Sequence, residues 1–541
     1  MNLRALSLLF LLVGFCGVKC KADQDLQCED TQPFTCNDTG TMNKSLFADD
    51  FLFGVASSAY QIEGAEGRGL NVWDGFTHRY PWKGGPDNAN GDTATGSYPD
   101  FSRDIQVLKK LGVNAYRFSF AWSRIIPGGR ASRGINEEGV QYYDNLINAL
   151  VAAGIRPLVT LFHWDLPQTL QDEYEGFLDR QIIEDFKDYA EVCFQRFGDR
   201  VKDWITINQI YTIPTRGYAM GTDAPGRCSA WLNLGCYAGD SGKEPYKVAH
   251  NALLAHATVV DLYRQKYKPS QGGQIGIVMI TRWFLPYDNT KENIDAAERA
   301  KVFFIDWFME PLTYGEYPSL MREMVPDRLP NFTTEESLLV KGSFDFLGVN
   351  YYVTQFARAI PPNPPDRLYV FNDSLAALSF ENKDGPIGPW FFGTDYYHPR
   401  GILHVLEYLR KNFKNPIMYI TENGYRSDGT SPLEEAMNDY NRTDYLCSHL
   451  CFIRQAIINK CNVKGYVAWS LGDNYEFNAG YSARFGLSYV DFTNLTAERP
   501  LKSSGKWFQK FLSTPNKEEV LPPLIQERGS PNNGHRKIAP A

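Results

Sequence analysis

The chain has 541 residues, 43% hydrophobic and 14% aromatic, enough to bury a large core. Its formal net charge is −8, and no basic patch stands out, which argues against nucleic acid as a partner. The acidity itself says little about the substrate, because the local field of a site outweighs the total.

Met1-Asn2-Leu3-Arg4 precedes an apolar block from Ala5 to Val18. One positive charge, a short apolar core and a polar exit predict a secretory signal over residues 1–20, cut near Lys19, Cys20 or Ala22. The block is short for a bilayer span, and no later stretch is apolar enough for one. A polar lead-in, 21–50, follows. Phe51 to Gly64 reads as strand and loop, and 65–100, rich in Gly, Asp and Asn, as one long loop.

From there strand-like and helix-like patterns alternate. The strand readings are Val113 to Trp122, Ile155 to Phe162, Trp204 to Ile207, Ile275 to Ile280, Phe346 to Tyr352, Ile417 to Thr421 and Val463 to Ser470. Between them, helices are predicted over Asp100 to Leu111, Glu137 to Ala153, Arg180 to Phe197, Tyr246 to Tyr267, Ile294 to Met309, Ile402 to Phe413 and Tyr440 to Ile458. A last helix, Gly505 to Leu512, comes before a polar tail, 516–541. Eight buried, non-alternating strands separated by helices predict an α/β fold, a (β/α)8 TIM barrel. It is read as a single domain over 51–515 with long βα loops. No glycine-rich phosphate turn follows the first strand, which disfavours an open doubly wound sheet.

Secretory entry changes how the cysteines read. Cys447 and Cys451 are four apart on a helical pattern and share a face. They could clamp the lead-in through Cys28 and Cys36, with connectivity open. Cys228 and Cys236 suit a local bridge, leaving Cys193 and Cys461 as free, buried thiols. A zinc half-site at Cys447-Ser448-His449-Leu450-Cys451 is the weaker reading in an oxidising compartment. Asn37, Asn43, Asn331, Asn372, Asn441 and Asn494 each start an N-x-Ser/Thr acceptor, which predicts a glycosylated surface.

In a barrel, polar residues just past the strands gather at one face. Gln61, Arg117, His163, Asn208, Gln209, Asn350, Glu422 and Trp469 all fall there. Two strand tips stand out, Ile205-Thr206-Ile207-Asn208-Gln209 and Ile420-Thr421-Glu422-Asn423-Gly424. A carboxylate at each would predict glycoside hydrolysis by an acid and a nucleophile. Here one tip carries an amide, which can neither give up nor take a proton at neutral pH.

These segments resemble glycoside hydrolase family 1, the retaining β-glucosidases, and within it the myrosinases, plant thioglucosidases that cleave glucosinolates. The resemblance runs from about Phe51 to Phe511. It is carried by Phe53-Gly54-Val55-Ala56-Ser57-Ser58-Ala59-Tyr60-Gln61-Ile62-Glu63-Gly64, Phe162-His163-Trp164-Asp165-Leu166-Pro167-Gln168, the Glu422 tip, and Trp469-Ser470-Leu471-Gly472-Asp473-Asn474-Tyr475-Glu476. It implies Glu422 as the nucleophile that forms a covalent glucosyl-enzyme, with Arg117 suited to keep it ionised. The family's acid/base glutamate, in Asn-Glu-Pro, is replaced here by Asn208-Gln209-Ile210. Loss of general acid–base catalysis costs roughly 10²–10⁴-fold. A thiohydroximate sulfate leaves unaided as a stabilised thiolate, and a carboxylate at 209 would repel its charge.

The resemblance further implies that Gln209 orients the water of the second step, with ascorbate as a borrowed base. It places Arg216 and Arg282 at the sulfate or the ascorbate, as planar forks suited to oxyanions. For either arginine alone, a salt-bridged loop residue is an equal reading. It implies a glucose subsite of Gln61, His163, Asn208, Trp469 and Glu476, with Phe477 where O-glucosidases commonly carry Trp, and with Tyr352 and Phe485 as walls. It also implies a homodimer bridged by zinc through His78 and Asp92, two ligands from each subunit. Plant chemical defence and the vacuole, or else the extracellular space, complete the expectation. The rival readings are an O-β-glucosidase for activated substrates and a non-catalytic sugar-binding homologue. Retention of Glu422 argues against the latter.

Overall fold

The computed structural model describes residues 39–513. The predicted signal, the lead-in up to residue 38 with Cys28, Cys36 and Asn37, and the tail lie outside the described residues.

Eight parallel strands form the barrel: β1 (Leu52–Ala56), β2 (Ala115–Ser119), β3 (Arg156–Phe162), β4 (Asp203–Ile207), β5 (Gln274–Pro286), β6 (Phe346–Ala359), β7 (Met418–Glu422) and β8 (Val463–Trp469). Each pairs with the next, and β8 closes on β1 with Leu52 opposite Gly465. Eight helices follow the strands in turn: α1 (Ser102–Leu111), α2 (Glu137–Ala152), α3 (Gln181–Phe197), α4 (Glu244–Leu262), α5 (Lys291–Lys301), α6 (Arg400–Asn412), α7 (Tyr440–Ile458) and α8 (Ser503–Leu512). β1, β2, β4 and β7 are buried along their whole length. Covered by helices outside and side chains inside, such strands need no alternation, and their apolar runs follow from that. Leu52, Ala115, Leu158, Ile205, Val278, Phe346 and Tyr419, one from each of seven strands, pack as one cluster inside the barrel. That layer plugs the barrel, so any ligand must enter from the other end.

Three local readings are corrected. Ala59–Ile62 is a helical turn, not loop. The long first loop holds a helix, Val72–Arg79, started by a capping box in which Asn71 and Asp74 satisfy each other's backbone N–H. β5 and β6 run past their predicted ends at Ile280 and Tyr352 and stay paired beyond the rim, with Trp283–Pro286 beside Thr354–Ala357. The polar Thr281-Arg282 reads as the start of a loop, whereas the aromatic and β-branched residues after it, and after Tyr352, continue the strands. A short strand, Ala376–Ser379, adds antiparallel to the end of β6.

Within the extension Thr281 faces Tyr351 and Trp283 faces Thr354, so Tyr352 and Val353 together oppose Arg282. That two-against-one count is a β-bulge on β6.

Cys228 and Cys236 form a disulfide across eight residues. Cys193 and Cys461 are free and buried. Cys447 and Cys451, on α7, are both disulfide-bonded, which sets aside the zinc half-site. Asn331, Asn441 and Asn494 are exposed, while Asn43 and Asn372 are half-buried. Asn372 Nδ2 donates to Asn363 Oδ1 at 2.9 Å, a bond that a glycan there would have to replace. No described helix is long and apolar enough to cross a membrane.

Candidate active site

The open end of the barrel holds a cavity of ≈ 610 Å³. Its wall gathers Gln61, His163, Gln209, Tyr352, Glu422, Trp469, Glu476, Phe477 and Phe485, together with Arg216 and Arg282. These residues span more than 400 positions of sequence and meet because each ends or follows a parallel strand or, like Arg282 and Tyr352, lies where one runs on past the rim. Arg117 and Asn208 are buried beneath the wall and act through it.

Glu422 ends β7 and is held from three sides. Arg117 Nη1 donates to Oε1 at 2.6 Å. Tyr352 Oη donates to Oε2 at 2.8 Å, and Gln209 Nε2 donates to the same oxygen at 3.0 Å. Burial, reinforced by the Glu422 charge, pushes the Tyr352 phenol well above its ordinary value, so it stays a donor. Arg117 Nη2 also donates to Asn208 Oδ1 at 2.7 Å, and Asn350 Nδ2 reaches that oxygen at 3.2 Å. The carboxylate is thus fixed in place by an ion pair and by two hydrogen bonds from neutral donors, a rigid setting for a nucleophile.

Gln209 sits just past β4 with a left-handed backbone, φ 47°. Trp164 and Phe477, also on the cavity wall, have φ 74° and 50°. Such conformations disfavour residues with a Cβ and cluster where surroundings force a side chain into a site. Thr212 Oγ1 donates to Gln209 Oε1 at 3.0 Å. With its oxygen taken, the amide turns its NH₂ toward Glu422.

Asn208 Nδ2 lies 3.0 Å from His163 Nε2. Burial and the nearby Arg117 charge hold His163 well below its ordinary value, so the ring is neutral and Nε2 accepts. The ring proton is then on Nδ1, a buried atom with no hydrogen-bond partner among the described residues. Trp469 Nε1 donates to Glu476 Oε1 at 3.2 Å. Burial, with the Glu422 charge adding, pushes the Glu476 carboxyl up to about 8. At neutral pH it therefore keeps its proton and can both donate and accept. Gln61 is anchored by Nε2 to Asn474 Oδ1 at 3.0 Å and to the Tyr475 carbonyl at 2.8 Å. A ring of paired donors and acceptors beside an indole matches a sugar's hydroxyls and its apolar face.

The two arginines at the mouth differ. Arg216 is already paired with Asp223 at 2.9 Å, so the salt-bridge reading holds for it. Arg282, at the bulge, donates to Gln355 Oε1 at 2.8 Å and has no carboxylate within ion-pair distance among the described residues. Among the wall residues that escaped the sequence reading are Thr212, Asp395 and Arg426. None belongs to a recognisable motif, although Arg426 comes only four residues after Glu422.

Away from the cavity, His78 Nε2 lies 3.0 and 3.1 Å from the two Asp92 oxygens, and both side chains are exposed. Among the described residues no cluster of three or more metal-ligand side chains occurs.

Fold and cavity define a barrel enzyme acting on carbohydrate. Residues 43–517 match the family model described as glycosyl hydrolase family 1. The chain is 61% identical to a protein named myrosinase 2 from Arabidopsis thaliana, over 99% of this chain and 97% of that one. It is 55% identical to a myrosinase from Brassica napus over the full length of both. Among solved structures, a rice β-glucosidase is 44% identical with a TM-score of 0.84, covering 87% of this chain and all of its own. An aphid myrosinase is 36% identical with a TM-score of 0.77, covering 86% and 98%. The chain belongs to glycosyl hydrolase family 1.

Proposed function

We propose that the chain is a retaining β-thioglucosidase that hydrolyses glucosinolates to glucose and a thiohydroximate-O-sulfate, which goes on to isothiocyanates in plant chemical defence. The observation that carries this reading is Gln209 Nε2 at 3.0 Å from Glu422, an amide where the chemistry of ordinary glycosides needs a second carboxylate. Relatives named myrosinase, 55–61% identical over nearly the whole chain, support it.

Glu422 attacks the anomeric carbon while the thiolate departs with its electron pair and without a proton. His163, Glu476 and Trp469 hold the sugar, and Arg117 holds the nucleophile in line. Arg282, a cation without a counter-ion, faces the sulfate. In the second step Gln209 can orient a water but cannot take its proton. Ascorbate, when bound, would supply that base, and the unneutralised Arg282 fits an enolate of this kind.

His78 and Asp92 fit half of a zinc site, since an imidazole nitrogen and a carboxylate converge on the surface. Two such halves would complete four ligands across a homodimer. The secretory route, with the vacuole or the cell exterior as its end, rests on the apolar leader and the acceptor asparagines.

The test compares hydrolysis of sinigrin with that of an aryl and an alkyl β-glucoside, reading the first-formed glucose anomer by NMR. Release of β-glucose from sinigrin, with the alkyl glucoside inert, is expected. Brisk alkyl glucoside hydrolysis with sinigrin untouched would overturn the reading.

A further inference from the structure

Of the arginines named at this cavity, Arg117 is bonded to Glu422 and Arg216 to Asp223. Arg426 resembles neither. It leaves the tip of β7 four residues after Glu422 and lines the same cavity. Its guanidinium carbon lies 3.4 Å from the centroid of Phe392, so the ring supports the planar fork from one side. It has no carboxylate within ion-pair distance among the described residues, and its buried Nε has no hydrogen-bond partner. Asp395 and Asp428 pull on it only at longer range. Asp395 lies within electrostatic reach of both Arg426 and Arg282 and bonds neither side chain.

A guanidinium drawn partly out of water without a counter-ion is costly unless something anionic arrives to meet it. Arg282 stands in the same state on β5, with Arg216 as its cationic neighbour. Arg426 belongs to the β7 side, in the loop that follows Glu422. The two free cations are therefore set on different elements, Arg282 on β5 and Arg426 in the loop after β7.

We propose that Arg426 is a second oxyanion-binding residue at the cavity mouth, a specificity determinant separate from Arg282. It rests in part on the reading under Proposed function, because the oxyanion has two possible sources: the sulfate of the substrate, or a separate small anion held beside a neutral substrate.

The test uses Arg426→Met and, as a second variant of similar polarity to the native residue, Arg426→Gln. The first arm takes the ratio of kcat/KM for sinigrin to kcat/KM for its desulfated form, measured in one preparation so that partial loss of fold cancels. The second arm measures inhibition of aryl β-glucoside hydrolysis by inorganic sulfate, at constant ionic strength held with chloride. A charge-assisted hydrogen bond corresponds to a change of about tenfold or more. A tenfold fall in the ratio in both variants identifies the substrate's sulfate. A tenfold rise in the sulfate inhibition constant with the ratio unchanged identifies a separate anion. If both readouts stay within twofold of wild type, the proposal is overturned. Failure of the wild type to hydrolyse sinigrin would overturn the thioglucosidase reading alone, because the sulfate arm with the aryl glucoside still decides Arg426.

Discussion

The floor and the mouth of the cavity are built by different rules. On the floor, strand tips carry Arg117, Asn208, Gln209 and Glu422, and each is bonded to another of them. At the mouth, the extensions of β5 and β6 and the long loops carry Arg282, Arg426 and Asp395, which are not ion-paired with one another. A floor whose side chains are bonded to one another has one arrangement and suits one sugar. An unneutralised mouth stores unmet charge and sorts what is attached to that sugar. The difference teaches that recognition of the glycone and selection of the aglycone are separable in this barrel.

The sharpest way to break the comparison is at the nucleophile. Glu422→Gln leaves the shape and removes the attacking charge, and turnover of every substrate should fall by more than about 10³-fold. Residual sinigrin hydrolysis near wild type would remove the assignment. Next is Gln209→Glu. It sets a second carboxylate beside Glu422, where two negative charges resist ionising together. Alkyl glucosides should gain on the order of 10²-fold and sinigrin should lose; the opposite ranking in a substrate panel would show that the amide is not an adaptation to charge.

Arg282→Ala tests the mouth. Stimulation of sinigrin hydrolysis by ascorbate should vanish while unstimulated aryl glucoside hydrolysis changes by about threefold or less. Equal losses in both assays would place Arg282 on the floor's side of the divide.

Glu476 offers a pH test. Its folded carboxyl holds a proton up to about 8, whereas an unfolded glutamate releases it near 4.5. The folded state binds the extra proton between those values, so this group's contribution to stability is full below 4.5 and declines as pH rises to about 8. In Glu476→Gln the melting temperature should fall less steeply across that window than in wild type. Parallel melting curves would mean that Glu476 ionises normally. The smallest effect is expected at Cys228→Ser. The ring it opens is short, so about 2–3 kcal/mol of stability should go, with KM for sinigrin within twofold.

Much of this floor could be read from the chain because it obeys the barrel's own repeat. A buried apolar run ending in a polar pair marks a strand tip, and Asn208-Gln209 and Glu422-Asn423 are both of that kind. The mouth could not be read this way. The partner of Arg216 is Asp223, seven residues on and past the end of the π-helical stretch Ile213–Met220 that carries Arg216, and no periodicity predicts that pairing. Arg426 sits in a loop where a lone arginine is ordinarily solvated, and its supporting ring, Phe392, is 34 residues away in sequence on a two-stranded ribbon. Gln61 was placed correctly at the open end but on the wrong element, since a single helical turn is too short to show a period.

The bulge on β6 has a consequence for altering the enzyme. Successive residues of a regular strand point to opposite sides, yet Tyr352 and Val353 both face the cavity because one residue too many is accommodated there. Removing one codon, that of Val353, would restore regular pairing and leave every later residue of β6 on its present side, with Thr354 still opposite Trp283 and Gln355 still beside Arg282, while taking one apolar side chain off the cavity wall. A single-residue deletion next to Tyr352, which itself holds Glu422, would thus trim the cavity wall without shifting the rim beyond it.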